Sequence, residues 1–108
     1  MTILIENLTF ETIIGILDFE RTSLQKVSID CIINYHYNAT EFINYADVSN
    51  LIEMTMHTQK FELVETALET LSVVLKKSFP LIDELTLTLR KPNILQNCTV
   101  GVQNNYCF

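Results

Sequence analysis

The chain has 108 residues, a formal net charge of −6 and only seven basic side chains. Its length is that of one ordinary domain, residues 1–108, and its 48% hydrophobic content is enough for a core. Because the basic residues are few and scattered, the chain cannot form the cationic face that nucleic acid or an anionic membrane surface requires.

Two strands are predicted in the first third of the chain. Residues 2–14 are rich in β-branched side chains but alternate imperfectly, which predicts a long strand with a bulge. Gly15 breaks this stretch and begins a wide connection, GILDFERTSLQ. KVSIDCIINY then alternates with period two, which predicts a second strand. Its inward positions are Val27, Ile29, Cys31 and Ile33.

The period changes after this strand. From Tyr45 an apolar stripe at three- and four-residue intervals predicts a helix, and a second stripe predicts another helix that Pro80 ends. The first stripe is Val48, Leu51, Ile52, Thr55 and Met56, and the second is Val64, Ala67, Leu68, Leu71 and Leu75. DELTLTLRK and CTVGVQNNY, which carries Gly101, are predicted to be the last two strands.

This order predicts an α+β domain. Strands before and after a helix pair are typical of a four-stranded antiparallel sheet with two helices on one face. Such a sheet leaves its second face and its edges uncovered. We therefore expect oligomerisation through those edges.

The N-terminus and the cysteines favour a soluble, cytoplasmic protein. MTILIENLTF has no basic residue and reaches Glu6 too early for a signal peptide. No apolar run approaches the roughly 20 residues that span a bilayer. Cys31, Cys98 and Cys107 are an odd number without CxxC spacing, which suits reduced thiols.

Lys91 ends the strand LTLTLRK in an unusual position. Period two places it on the side of Leu85, Leu87 and Leu89, while Arg90 points to the other side. Pro92 keeps the residue before it extended. A partly desolvated ammonium at the edge of an apolar surface is a candidate base. The alternative is a strand-end lysine whose ammonium reaches water.

Three further positions are candidates with equally simple alternatives. Glu65 lies near the start of the second helix, where the helix dipole favours a carboxylate that could receive a cationic or amide-like ligand edge. It could also be a solvated glutamate. Glu20 belongs to the charged loop segment DFER, and such charges are usually surface decoration. Tyr45 stands at a predicted helix start, where an aromatic residue usually packs.

The sequence contains none of the familiar cofactor or metal motifs. His36 and His57 have no metal-ligand spacing to each other or to the cysteines. No GxGxxG, phosphate loop or nucleophile elbow is present. We therefore expect no metal and no cofactor.

The segments IIGILDFER, QKVSID, NYADV, FELVETALETL, LRKP and VGV, in this order, resemble the dihydroneopterin aldolase family of folate biosynthesis. They cover nearly the whole chain. The resemblance implies the tunnelling fold, in which ββααββ subunits join edge to edge into an oligomeric β-barrel, as a tetramer or octamer. It also implies active sites between neighbouring subunits.

The resemblance implies a lyase that uses neither a metal nor a Schiff base. Dihydroneopterin is cleaved by a retro-aldol step to hydroxymethyl-dihydropterin and glycolaldehyde, and the C=N bond of the ring takes up the electrons of the broken C–C bond. By position, Lys91 would be the general acid/base near the ring imine nitrogen, through a water. Tyr45 of a neighbouring subunit would exchange a proton with the enamine carbon and lie against the pterin.

The resemblance also implies which residues bind the pterin. Glu65 would accept hydrogen bonds from the amino and ring N–H groups, and the backbone around Val64 would contact the same ring. Glu20 would bind the side-chain hydroxyls that reorganise during cleavage. Leu17 would line the pocket.

Two segments depart from the family pattern, and other functions stay open. HYNATEFI, before Tyr45, is shorter than the family's loop, and KPNILQNCTVGV lacks the Ala-Pro-Ile that often follows KP. An epimerase of dihydroneopterin triphosphate is one alternative, although a triphosphate favours more cations than this acidic chain offers. A non-catalytic pterin-binding or regulatory module and a purely structural oligomer-forming subunit are the others.

Overall fold

The computed structural model of the chain describes residues 1–108 as four strands and three helices. The four strands form one antiparallel sheet in the order β1-β2-β3-β4. The predicted order of strands and long helices is confirmed, and the short helix α1 is an element that the sequence pattern did not predict. The elements are β1 Thr2–Thr12, α1 Asp18–Thr22, β2 Gln25–Tyr35, α2 Tyr45–Gln59, α3 Val64–Ser78, β3 Ile82–Lys91 and β4 Val100–Cys107.

The bulge predicted in the first strand is present. The β1–β2 register shifts between Ile5 and Leu8, and Asn7 there has a φ of 58°. The Asn7 N–H, which cannot join the ladder, donates to Asp30 Oδ1 at 2.7 Å. The N–H group that the bulge leaves out of the ladder is therefore satisfied by a side chain of β2. A bulge supported in this way is a stable feature of the strand.

The core lies between the two long helices and one face of the sheet. The inward positions predicted for β2 are fully buried, and so are Leu85, Leu87 and Leu89 of β3. The helices contribute from the predicted stripes, with Leu51, Thr55 and Val64 only half-buried at their margins. The buried members of those stripes are Val48, Ile52, Met56, Ala67, Leu68, Leu71 and Leu75.

The second face of the sheet is polar and carries no helix. Arg90 Nη1 donates to Asp30 Oδ2 at 2.5 Å, and Asn34 Nδ2 donates to Glu84 Oε1 at 2.8 Å. Strands β1 and β4 are the two edges, and neither has a partner strand on its outer side. The outer sides of β1 and β4 are therefore available for pairing with other strands.

The cysteines are unpaired thiols. Cys31 lies in the core, and burial raises the pKa of its thiol to about 12. Cys98 and Cys107 are exposed. None of the helices has the length and apolarity that a membrane crossing requires.

Candidate active site

Lys91 and Glu20 form a nearly buried ion pair at the end of the sheet. Lys91 Nζ donates to Glu20 Oε2 at 2.8 Å, and the two side chains are only 11% and 4% exposed. Lys91 reaches this position because it shares the inward phase of β3, whereas Arg90 bonds to Asp30 on the polar face. Two opposite charges are therefore held together where little water screens them.

The Glu20 carboxylate has three donors. Gln25 Nε2 donates to its Oε2 at 2.8 Å, in addition to Lys91, and the Leu17 backbone N–H donates to its Oε1 at 3.3 Å. Burial acts to raise the pKa of Glu20, but the hydrogen bonds from Lys91, Gln25 and Leu17 outweigh it and hold that pKa below its ordinary value of 4.5. The carboxylate is thus kept ionised and fixed in place.

Gly15 makes the space that this carboxylate occupies. Its φ is +135°, a conformation that residues with a side chain rarely adopt, and a Cβ there would overlap the Glu20 carboxyl group. Its N–H donates to the Phe61 carbonyl at 3.0 Å, so the turn is tied to the segment between α2 and α3. A glycine is therefore required where β1 gives way to α1.

The stability of the fold should depend on pH through Glu20. A carboxyl group whose pKa is lowered by folding stabilises the protein above its unfolded pKa, and this contribution is lost as the pH falls through the lowered folded pKa. Stability due to Glu20 should therefore be complete at pH 7 and should decline below about pH 4.5.

In Glu20→Gln this component of the stability should be absent. Urea unfolding at neutral and acid pH measures it, with Glu62→Gln on the exposed surface as the charge-matched control. An equal acid response in Glu20→Gln and wild type would contradict the assignment.

Glu65 and Val64 stand at the start of α3, as the periodicity predicted. Glu65 is exposed, makes no side-chain hydrogen bond and lies in the first turn of a helix whose N-cap, Leu63, offers no capping side chain. It lines a cavity of about 230 Å³ between α3 and β4, opposite Val102 and Asn104. A carboxylate at this position can accept hydrogen bonds from the donors of a ligand.

Tyr45 stands at the far end of α2 from the ion pair. It begins that helix, its side chain is 68% exposed, and it makes no side-chain hydrogen bond. The other end of α2 is beside the site, because the Lys60 carbonyl accepts from Arg21 Nη2 at 2.7 Å. Fifteen residues of helix span about 22 Å at roughly 1.5 Å per residue. The structure therefore does not bring Tyr45 to the Lys91 of its own chain.

Leu17 lies at the N-terminus of α1 and is 50% exposed. The same helix carries Phe19, which is 60% exposed and borders a cavity of about 140 Å³. Glu20, Leu24 and Gln25 are among the other residues that line this cavity. Apolar and polar side chains thus share the wall of the cavity beside the buried carboxylate.

No cavity of the single chain contains Glu20, Glu65 and Tyr45 together. Glu20 lines one cavity, Glu65 lines another, and Tyr45 lines neither. Of the predicted site residues, Glu20 bonds directly to the Lys91 side chain and to the Leu17 backbone N–H, and it bonds to neither Glu65 nor Tyr45. A ligand that contacts all of these residues would need a surface supplied by a second chain.

Two residues with clear roles at this site were missed from the sequence. Gln25 bonds both the Glu20 carboxylate and the Ile14 carbonyl, at 2.8 and 2.5 Å. Arg21 donates three hydrogen bonds to backbone carbonyls. The only sequence signal for Gln25 is a polar residue in the inward phase at the first position of β2. Arg21 has no signal beyond its place in DFER.

The histidines have other partners than the Lys91–Glu20 pair. His36 Nδ1 is 2.6 Å from Asp83 Oδ2 on the surface, and His57 packs its ring against Phe10. Nowhere in the chain do three histidine, cysteine, aspartate or glutamate side chains group as metal ligands would.

Comparison with known proteins gives one family and several similar structures. The family model described as FolB, dihydroneopterin aldolase, matches residues 3–104. A crystal structure of a Vibrio cholerae protein assigned as a dihydroneopterin aldolase (FolB) superposes with a TM-score of 0.91 at 25% identity, over 100% of this chain and 98% of that chain. No curated protein matches this sequence.

Two ligand-bound structures have the same fold. Escherichia coli dihydroneopterin aldolase in complex with neopterin superposes with a TM-score of 0.87 at 24% identity, over 98% of each chain. A Burkholderia dihydroneopterin aldolase bound to guanine superposes with a TM-score of 0.81 at 15% identity, over 100% of this chain and 91% of that chain. The predicted fold of the subunit, a tunnelling-fold ββααββ unit, is confirmed.

Proposed function

The chain belongs to the dihydroneopterin aldolase family, and on that premise we propose that it cleaves dihydroneopterin to hydroxymethyl-dihydropterin and glycolaldehyde. The observation that carries the proposal is the nearly buried Lys91–Glu20 pair, with 2.8 Å between the Lys91 Nζ and Glu20 Oε2 atoms. A fixed ammonium beside an ionised carboxylate is what a reaction of proton transfers needs.

The reaction balances without a metal, a cofactor or a Schiff base. A base takes the proton of the hydroxyl on the carbon that becomes the glycolaldehyde carbonyl. The C–C bond between that carbon and the carbon attached to the ring breaks, and its electron pair flows into the C=N bond of the dihydropterin ring. Glycolaldehyde leaves, and the ring holds an enamine with a proton on its nitrogen. Protonation of the enamine carbon, with loss of the proton on the ring nitrogen, restores the C=N bond and gives the second product.

Lys91 and Tyr45 carry the protons of the ring nitrogen and of the enamine carbon in the proposal. The Lys91 ammonium, through a water, supplies the proton that the imine nitrogen gains. Tyr45 exchanges a proton with the enamine carbon and lies against the ring. Because Tyr45 is about 22 Å of helix away from the end of α2 that borders the site, it must come from a neighbouring subunit.

Glu65 and Val64 anchor the ring. Neopterin and guanine, the ligands of the Escherichia coli and Burkholderia proteins, share an aminopyrimidinone edge with two adjacent N–H donors. The exposed Glu65 carboxylate matches that edge as a two-point acceptor. The backbone around Val64 contacts the same ring, with Leu17 on the pocket wall.

Glu20 has two tasks in this scheme. It holds the Lys91 ammonium in place, and it accepts hydrogen bonds from the substrate's side-chain hydroxyls. Its side chain is only 4% exposed but lines the cavity at the end of β3, so the hydroxyls would approach from that side. The reacting atoms are then surrounded by groups that are already fixed.

The working protein is a homo-oligomer, a tetramer or an octamer, with active sites between subunits. The two unpaired edge strands, β1 and β4, supply the surfaces for ring closure. The absence of a single cavity with Glu20, Glu65 and Tyr45 in one chain supports a shared site. A cytoplasmic location, which suits three unpaired cysteines, completes the proposal.

Glu65→Gln should chiefly weaken binding. The amide keeps the size of the side chain but replaces one acceptor with a donor, which would face the N–H donors of the pterin. We expect KM for dihydroneopterin to rise about ten- to hundredfold, which corresponds to the loss of a charged hydrogen-bond pair, with a smaller change in kcat. Steady-state kinetics measure this, and Glu53→Gln, at a glutamate of α2 outside the cavity that Glu65 lines, is the control. A larger loss in kcat than in KM would contradict the anchoring role.

Incubation with two substrates tests the proposal against its alternatives. We expect dihydroneopterin to yield glycolaldehyde and hydroxymethyl-dihydropterin. Conversion of dihydroneopterin triphosphate to its epimer without cleavage of dihydroneopterin would instead make the chain an epimerase. Pterin binding without turnover would make it a non-catalytic module, and no binding would leave a structural subunit.

A further inference from the structure

Arg21 ties the short helix α1 to the segment that follows α2. Its Nη1 donates to the Gly15 carbonyl at 3.0 Å and to the Phe61 carbonyl at 3.1 Å, and its Nη2 donates to the Lys60 carbonyl at 2.7 Å. One guanidinium therefore joins three backbone carbonyls from two parts of the chain. Only arginine presents donors in such a rigid fork.

The carbonyls that it bonds are suited to a cation. Lys60 is the C-cap of α2 in a left-handed conformation, with a φ of 47°, and the carbonyls at a helix C-terminus carry partial negative charge. The Gly15 N–H also donates to Phe61 at 3.0 Å. The guanidinium and this amide together fix Gly15, the residue beneath the Glu20 carboxylate.

Helix α1 needs this support more than the other helices do. It has five residues, far fewer than a helix needs to be stable by itself, and Glu20 is its only buried residue. Helix α3 has fifteen residues and buries Ala67, Leu68 and Leu71, among others. The placement of Glu20 therefore depends on local anchors, whereas the placement of Glu65 does not.

We propose that Arg21 is a positioning residue for the aldol cleavage, acting by holding Gly15 and α1 so that the Glu20 carboxylate meets Lys91. The inference rests on the proposed function. Arg21 touches no substrate, and its effect reaches the reaction through Glu20 alone. Loss of Arg21 should lower the rate of cleavage while the Glu65 end of the pocket keeps its affinity for the pterin ring.

Arg21→Met tests this role, since methionine keeps an unbranched stem and removes the donors. We expect kcat to fall about ten- to hundredfold, the usual cost of a small misplacement of reacting groups, with affinity for guanine within about twofold of wild type. Arg21→Lys, which can satisfy part of the carbonyl set, should recover part of kcat. Lys77→Met, at an exposed lysine of α3, is the control and should match wild type.

A second readout is independent of activity. In wild type the Glu20 carboxyl carbon, followed by NMR, should titrate below its ordinary range because Lys91, Gln25 and Leu17 bond it. The charged groups close to it are Lys91 on β3, and Asp18 and Arg21 on α1 itself. In Arg21→Met the displaced carboxylate should titrate at higher pH. If Arg21→Met does not fold, Arg21→Lys is measured by the same two readouts.

The outcomes separate this inference from the proposed function. Unchanged kcat together with an unchanged Glu20 titration in the Arg21 variants would overturn the positioning role and leave the aldolase assignment intact. Equal losses of kcat and guanine affinity would show a general structural role and would also overturn it. Absence of turnover in wild type would refute the proposed function, and the Glu20 titration would still decide whether Arg21 positions that carboxylate.

Discussion

Lys91→Ala should fold, bind pterin and lose most of its turnover. The ammonium is the proposed source of the proton that the imine nitrogen gains, and a positioned proton carrier contributes about a hundred- to ten-thousandfold in rate. We expect kcat to fall by about that factor, with KM for dihydroneopterin changed much less. The fold should survive because the Glu20 carboxylate retains hydrogen bonds from Gln25 and Leu17.

The Lys91→Ala result needs a control for the loss of a positive charge. Lys77→Ala removes a charge of the same sign from an exposed position on α3, and it should retain wild-type kinetics. Product affinity, measured by fluorescence titration with hydroxymethyl-dihydropterin, separates binding from chemistry. A Lys91→Ala variant with full kcat would remove Lys91 from the mechanism, and one that no longer binds pterin would assign it to binding.

Gly15→Ala should be the most damaging conservative substitution for the fold. Alanine is strained at a φ of +135°, and its Cβ would overlap the Glu20 carboxyl group. The backbone cost is of order 1–3 kcal/mol, and displacing the carboxylate leaves Lys91 without its partner. We expect the free energy of unfolding to fall by about 3 kcal/mol, as measured by urea unfolding, and turnover to fall with it.

Gly101→Ala is the matched control for this substitution. Gly101 lies in β4, its φ is not in the positive region, and an added Cβ would meet the Arg90 side chain at 2.9 Å and the Leu89 carbonyl at 3.3 Å. Since a side chain can shift, the cost should be clearly smaller than at Gly15. If the two alanine variants are equally stable, the space beneath Glu20 is not the reason for glycine at position 15.

Much of the fold follows from periodicity, because the buried face of each long element repeats regularly. The inward residues of β2, such as Ile29 and Ile33, and the α3 stripe, such as Leu68 and Leu75, are buried as the sequence predicts. The inward phase of Lys91 follows by the same count along β3. Helix α1 could not be predicted from periodicity, because its five residues are too few to display a period of 3.6.

The pairing of Lys91 with Glu20 could not be predicted from local pattern. The two residues are 71 positions apart, and Glu20 stands in a loop segment whose charges are usually solvated. Its burial depends on contacts that form only in the folded chain. Gly15 leaves room for the carboxylate, Gln25 donates a hydrogen bond to it, and Arg21 bonds the Gly15 carbonyl. The family resemblance singled out Glu20 as a residue that binds substrate hydroxyls, whereas the structure adds its direct bond to the lysine.

The proposed meeting of Tyr45 with the Lys91–Glu20 pair would also require more than one chain. The sequence places Tyr45 at a helix start, and the structure confirms that position. The length of α2 separates it from its own Lys91, so only an assembly could bring the two together. The exposed edges of β1 and β4 are where that assembly would form.

The central claim is that this chain cleaves dihydroneopterin with the Lys91–Glu20 pair, and product stoichiometry tests it most directly. Purified wild-type protein and Lys91→Ala are incubated with dihydroneopterin, and glycolaldehyde and hydroxymethyl-dihydropterin are quantified together. We predict equal amounts of the two products from wild type and a rate about a hundredfold or more lower from Lys91→Ala. Wild-type protein that releases no glycolaldehyde, or equal rates from the two proteins, would contradict the account.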